Sequence, residues 1–167
     1  MPSPPLPENV RIARLSDLTR IGIVSTAAFF NSPVFHYFRP EYKDHLQDTV
    51  ASYRASCAKE ILDPDTVVIV AEDTLKEDES VSVFPELRRA YPPFHDQIPT
   101  YSSETRRVVV GVASLSLKAV PALSGQFLPD DENPEEHCND PEDRGRDKYP
   151  EAFKLSFVTE EEQAKEK

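Results

Sequence analysis

Two β-branched runs constrain this chain most. Thr66–Glu72 (TVVIVAE) and Arg107–Lys118 (RVVVGVASLSLK) are too short and too rich in valine to be helices, and the first directly follows an apolar stripe at helical spacing. In that stripe Tyr42, Leu46, Val50, Tyr53, Cys57 and Ile61 recur every three or four residues, which predicts one helix over 42–61 opened by Pro40 and closed by Asp63-Pro64-Asp65. A helix delivered straight into a strand, with strands dominating afterwards, implies a mixed α+β fold. TVVIVAE is apolar at successive positions, as a central strand covered on both faces would be. No strong crossover helix separates it from Arg107–Lys118, so the two are predicted to pair antiparallel.

Ahead of that helix, Val10–Ala13 reads as a short strand, and Leu18, Ile21, Val24 and Ala28 outline a helix N-capped at Ser16 and ending near Phe29. Asn31-Ser32-Pro33 breaks it, because the residue before a proline is driven out of the helical region. The next stretch, Val34–Arg39 (VFHYFR), reads as an aromatic linker. On Arg107–Lys118 the alternation predicts Val108, Val110 and Val112 on one face and Val109, Ala113, Leu115 and Leu117 on the other.

The remaining segments carry weaker patterns. Residues 1–9 are a proline-dense lead-in predicted to lack structure, and 10–120 form the domain, interrupted at about 74–105 by an acidic, proline-punctuated insertion with a possible short helix at Glu86–Tyr91. Residues 121–150 are too acidic and too poor in apolar area to offset the entropy of ordering them, so they are predicted to be a disordered loop. Thr159 with Glu162 has a capping-box pattern, and Glu161 with Lys165 is an i,i+4 pair, so 151–167 reads as the start of a helix.

Charge narrows the function classes. A formal net charge of −11, with basic residues only in couplets such as Arg88-Arg89 and Arg106-Arg107, argues against nucleic acid as a partner. No leader-like or membrane-spanning stretch is visible, so a cytoplasmic chain with no membrane partner is expected, with Cys57 and Cys138 as free thiols. His137 and Cys138 lie among acids, but without the paired spacing of a zinc site; no metal is expected there. Ser114 and Ser116 alternate along the last strand, a pattern that fits a substrate groove or an ordinary exposed face. No nucleophile elbow and no cysteine with a placed histidine is visible.

The order of these pieces resembles the GNAT superfamily of N-acetyltransferases, particularly its fungal members. The resemblance is carried by Val10–Arg14 with Ser16-Asp17-Leu18, by Ala27-Ala28-Phe29 with Ser32–Phe35, by Val67–Asp73 and by Val109–Leu117, and covers roughly residues 10–118. It implies the N-terminal half of an acyl-CoA N-acyltransferase fold: a mostly antiparallel sheet with two helices, acetyl-CoA as co-substrate, and a small-molecule or peptide amine as acceptor. It also implies that the loop after the first helix belongs to the acceptor site, which places Phe30, Asn31, Phe35 and His36 there, with Phe29 and Tyr37 beside them; His36 is a potential proton acceptor.

The family's glycine loop, in which backbone amides hold the cofactor pyrophosphate, has no counterpart here. The four glycines, Gly22, Gly111, Gly125 and Gly145, do not have its spacing, and Asp143–Arg146 lacks its second glycine. The chain is therefore expected to be truncated, inactive by itself and unable to bind acetyl-CoA alone. The alternative is a non-catalytic interaction protein built on a degenerate acyltransferase half, with possible self-association through an open sheet edge.

Overall fold

The structure, a computed structural model, describes residues 7–74, Leu87 and residues 107–129. In chain order these form β1 (Val10–Ile12), a 3-10 turn (Leu15–Asp17), α1 (Leu18–Phe29), α2 (Pro33–Phe38), α3 (Leu46–Ile61), β2 (Thr66–Thr74), β3 (Arg107–Ser116) and a second 3-10 turn (Pro121–Leu123). The sheet has the order β1-β2-β3 and both pairings are antiparallel. β2 is central, as its unbroken apolar run predicts.

Among the described residues α1, α2 and α3 stand where two helices were expected. The aromatic stretch after Pro33 is α2 rather than a linker. Proline at the first helical position has its φ preset and lacks an N–H that would in any case go unbonded, so Pro33 ends α1 and starts α2. The preceding Ser32 is extended, at φ −72° and ψ 125°, as a pre-proline residue should be.

Both long helices start later than predicted. Ser16 does not cap α1: it lies inside the 3-10 turn, and the turn is closed by Asp17, whose Oδ2 accepts the Arg14 amide at 2.8 Å while its own amide bonds the Arg14 carbonyl at 2.9 Å. Likewise α3 begins at Leu46, not at Tyr42. Residues 40–45 form turns held by i→i−3 bonds, among them Tyr42 to Arg39 and His45 to Tyr42. Tyr42 is drawn into an aromatic cluster, where its hydroxyl bonds the Phe30 carbonyl, and that tertiary contact overrides helical continuation. The inward stripe survives the break: Tyr42, Val50, Cys57 and Ile61 are buried, and Leu46 and Tyr53 are half-buried on the same side.

The sheet pairing also changes which residues face inward. Ala71 pairs with Gly111 but Glu72 pairs with Val109, so Val110 is an extra residue in a β-bulge. Since cross-strand partners share a face, Val109 and Val112 both join Val70 on the helix-covered side, although strict alternation had put them on opposite sides. Val110 is left exposed. Ser114 and Ser116 pair with Val68 and Thr66 and are exposed. On the other side of the sheet Ile12, Ile69 and Ala113 are in register, with Val67 opposite Leu115; Ile12 and Leu115 remain exposed.

Two apolar clusters hold the layers together. The first is aliphatic: Leu15, Leu18, Ile21, Cys57, Ala58 and Ile61 pack on Val68, Val70 and Val109. The second gathers Ile23, Phe30, Phe35, Tyr42 and Val50 around Leu87, with Ala27, Leu46 and Tyr53 at its margin. α1 and α3 contribute to both and cross at Gly22, where an added Cβ would lie 2.8 Å from the Val50 carbonyl oxygen and from Arg54 Cγ. Glycine is needed there for close approach. Each fully buried Leu or Ile in these clusters contributes about 1.5–3 kcal/mol.

Polar pins fix the edges. Arg11 on β1 forks onto Asp17, at 2.6 and 2.9 Å, and reaches Glu72 on β2 at 2.7 Å. Arg107 donates to Asn9 at 2.8 Å. Beyond β3 the segment expected to be loop from 121 begins with the 3-10 turn Pro121–Leu123 and is pinned to the start of β2, where Gly125 N bonds the Pro64 carbonyl and Ser124 Oγ bonds Asp65 Oδ1. Residues 1–6, the insertion apart from Leu87, and residues 130–167, with Cys138, His137, Gly145 and the capping box at Thr159, lie outside the described residues. Among the described residues no helix is long and apolar enough to cross a membrane.

Candidate functional site

The segment between α1 and α3 concentrates aromatic and titratable side chains. α1 ends at Phe29, the turn at Phe30-Asn31 reverses the chain, and α2 then presents Phe35, His36 and Tyr37 within one and a half turns. Asn31 is exposed in the turn and His36 is exposed on α2. Phe30 and Phe35 are buried, so of the four residues expected at an acceptor site two present polar groups outward and two support them from beneath.

Tyr42 is the hub of this support. Phe30 and Phe35 meet its ring edge-on, at 5.2 and 4.9 Å between centroids, the preferred geometry for rings with negative faces and positive edges. Phe29, Phe35 and Tyr53 form a second, near-parallel group, with separations of 6.1 to 6.3 Å. Phe29 is exposed and is the solvent-facing member.

Cations lie over these rings. The buried Arg39 guanidinium sits 5.4 Å from the Phe35 centroid and 5.3 Å from that of Tyr53, while its Nη2 donates to Ser52 Oγ at 3.3 Å. The Lys43 ammonium lies 5.4 Å from the Phe30 ring. In a strongly acidic chain these are local concentrations of positive charge placed where ring quadrupoles stabilise them, by about 0.5–2 kcal/mol each.

His36 is tied down on one side. Its Nε2 lies 3.1 Å from the Phe30 carbonyl oxygen and 3.0 Å from the Tyr42 hydroxyl, which itself donates to that same carbonyl. Two short elements are thus locked together by one carbonyl, one phenol and one imidazole.

Tyr42, Arg39 and Leu87 were not recognised from sequence as parts of this site. Tyr42 was legible only as a helix position, and Leu87 is an isolated leucine in a polar insertion. Leu87 does fall in the short helix expected at Glu86–Tyr91, but neither helical position by itself signals a place in this cluster. Leu87 is helical and 1% exposed within the aromatic cluster, so this residue of the insertion packs against the segment between α1 and α3.

The remaining reactive groups are quiet. Burial, with Glu60 and Asp17 nearby, pushes the Cys57 thiol up to about 12, which leaves it protonated and unreactive at neutral pH. Among the described residues no group of three or more His, Cys, Asp or Glu side chains could hold a metal.

A coenzyme pyrophosphate needs consecutive free amides at a helix start with no acid against it. Here Asp17 stands at the N-cap of α1, α2 starts with a proline, and α3 has Asp48 in its first turn. Gly22 lies within α1, Gly111 within β3 and Gly125 in a turn with φ +75°; none opens a helix. The described residues do not fit acetyl-CoA.

Comparison with known proteins gives one finding of weight. A 72-residue stretch, 42% of this chain, is 35% identical to an acetyltransferase from Stachybotrys chartarum, and the match spans 31% of that protein. No family model matches the chain, and no solved structure matches it.

Proposed function

We propose that this chain is the acceptor-side part of an acetyl-CoA-dependent N-acetyltransferase of the GNAT type, acting on a small-molecule or peptide amine. The similarity to a fungal acetyltransferase carries this proposal. The antiparallel three-stranded sheet, preceded by helices that hold an aromatic, histidine-bearing segment, supports it. The chain's own residues do two things in it: the Phe30–Tyr42–Phe35 cluster builds a rigid floor, and the turn at Asn31 and α2 with His36 and Tyr37 display polar groups above that floor.

Calorimetry of the 167-residue chain against acetyl-CoA, followed by the same titration and an acetylation assay on a panel of amines with a chimera that extends the chain by the remainder of the similar Stachybotrys chartarum acetyltransferase, tests the proposal. We expect no micromolar binding for the chain alone and both binding and transfer for the extended one. An extended protein that binds no acetyl-CoA overturns the assignment.

The exposed Ile12 and Leu115 on one side of the sheet favour a second proposal, an interaction protein in which a second copy packs on these residues or adds to the β3 edge. Sedimentation that stays monomeric across a hundredfold range of concentration, whatever the substitution at Leu115, would dispose of it.

A further inference from the structure

We infer that the Phe30 carbonyl and Tyr42 together hold the His36 ring as its Nε2–H tautomer, so that Nδ1 is the basic atom α2 offers to an amine acceptor. Tyr42 is then a positioning residue. The acceptor in this statement rests on the acetyltransferase proposal; the tautomer rests on geometry alone.

A carbonyl oxygen only accepts. His36 Nε2 lies 3.1 Å from the Phe30 oxygen, and a bare ring nitrogen there would set one lone pair against another. The other neighbour gives no relief. Tyr42 has a single hydroxyl proton, already directed to the Phe30 oxygen, so what it turns toward Nε2 at 3.0 Å is a lone pair. With both oxygens on the same side of the ring and each acting as an acceptor, Nε2 carries the proton. In a neutral imidazole the other nitrogen is then bare, since the bond made by one nitrogen sets the state of the other. Among the described residues nothing hydrogen-bonds Nδ1, and the ring is exposed.

The edge-to-face packing of His36 on Tyr42, with centroids 5.2 Å apart, adds a steric restraint on the ring. The step this permits is a proton transfer. An ammonium N–H beside Nδ1 breaks, its electron pair stays on the amine nitrogen, and an Nδ1–H bond forms. The resulting imidazolium keeps its Nε2–H on the Phe30 oxygen. Nothing else is consumed, and the product is the free amine that acyl transfer requires.

The test uses the full chain and no acetyl-CoA, so its outcome is independent of whether acetyl transfer is ever observed. Long-range proton–nitrogen NMR spectra, recorded above the ring's titration and assigned with His36→Gln, should show one His36 tautomer with Nε2 protonated. Tyr42→Phe, checked for retained helix by circular dichroism, should keep the Nε2–H tautomer, because the Phe30 carbonyl is still there to accept, but should loosen the ring's placement, read as a loss of the proton contacts between the His36 ring and the ring at position 42. An Nδ1–H tautomer in the wild type overturns the inference, and ring contacts that persist unchanged in folded Tyr42→Phe remove Tyr42 from it.

Discussion

The two clusters solve the same packing problem with different chemistry. The aliphatic one lies between the sheet and the facing sides of α1 and α3, and its members were visible as periodic positions: Leu18 and Ile21 on one helix, Cys57 and Ile61 on the other, Val68 and Val70 on the strand. The aromatic one sits where α1 and α3 lead into their connecting segment. Besides Ile23 of α1 and Val50 of α3, its members come from turns, a short helix and a distant insertion, and it carries the polar groups: the Tyr42 hydroxyl, His36 and Arg39. A dry cluster only stabilises, whereas one with fixed polar groups at its rim can also present chemistry. The first reads as framework and the second as the part of the framework adapted to a site.

If that division is correct, Leu18→Ala and Leu87→Ala should each cost about 2–5 kcal/mol in urea unfolding, because both leave cavities in buried apolar surroundings. Combined, they should add to within about 0.5 kcal/mol, as distant sites without shared partners do. Strong non-additivity would show that the two clusters form one cooperative core. Only Leu87→Ala should alter the near-ultraviolet signal of the tyrosines.

Gly22 tests the boundary between them. Alanine would gain about 1 kcal/mol of helix propensity, yet its Cβ would press on the Val50 carbonyl, which cannot swing aside. The expected outcome is a net loss of about 1–3 kcal/mol, felt by probes in both clusters. A stabilised Gly22→Ala would mean that the helices separate more easily than the geometry allows.

Tyr42→Phe removes one hydroxyl and keeps the ring. It should cost about 0.5–1.5 kcal/mol, leave the aliphatic cluster's hydrogen-exchange protection unchanged, and loosen only the turn at residues 40–45. Spread of that loosening to β2 would merge the two regions.

The smallest effect is pH-dependent and belongs to the aliphatic side. Burial pushes the Asp17 carboxyl up, but the Arg11 guanidinium and the Arg14 amide outweigh it and hold the group below its ordinary 3.8. A carboxyl depressed in the folded state contributes stability that is fully present above the unfolded value and disappears as pH falls through the folded one. Urea midpoints should therefore drop more steeply below pH 3.8 in the wild type than in Asp17→Asn. Parallel curves would show that the Arg11 fork does not couple to folding.

What the sequence determined by itself was the set of elements whose cause is local. β-branched runs gave β2 and β3, helical spacing gave most of α1 and α3, and the missing crossover between the strands gave the antiparallel pairing, because propensity and periodicity act over a few neighbours. What only the tertiary structure decided depends on contacts between distant residues. Tyr42 leaves the helix it was patterned for because a buried ring with its hydroxyl bonded to the Phe30 carbonyl outweighs one more turn. Val109 and Val112 share a face because Val110 bulges out against β2, and register is a property of two strands. Leu87 lies in the short helix expected at Glu86–Tyr91, but that it packs into the aromatic cluster is decided by contacts with residues far away in the chain, from Ile23 to Val50. The state of the His36 ring follows from a carbonyl and a phenol that folding alone brings to it, at separations of six residues in either direction.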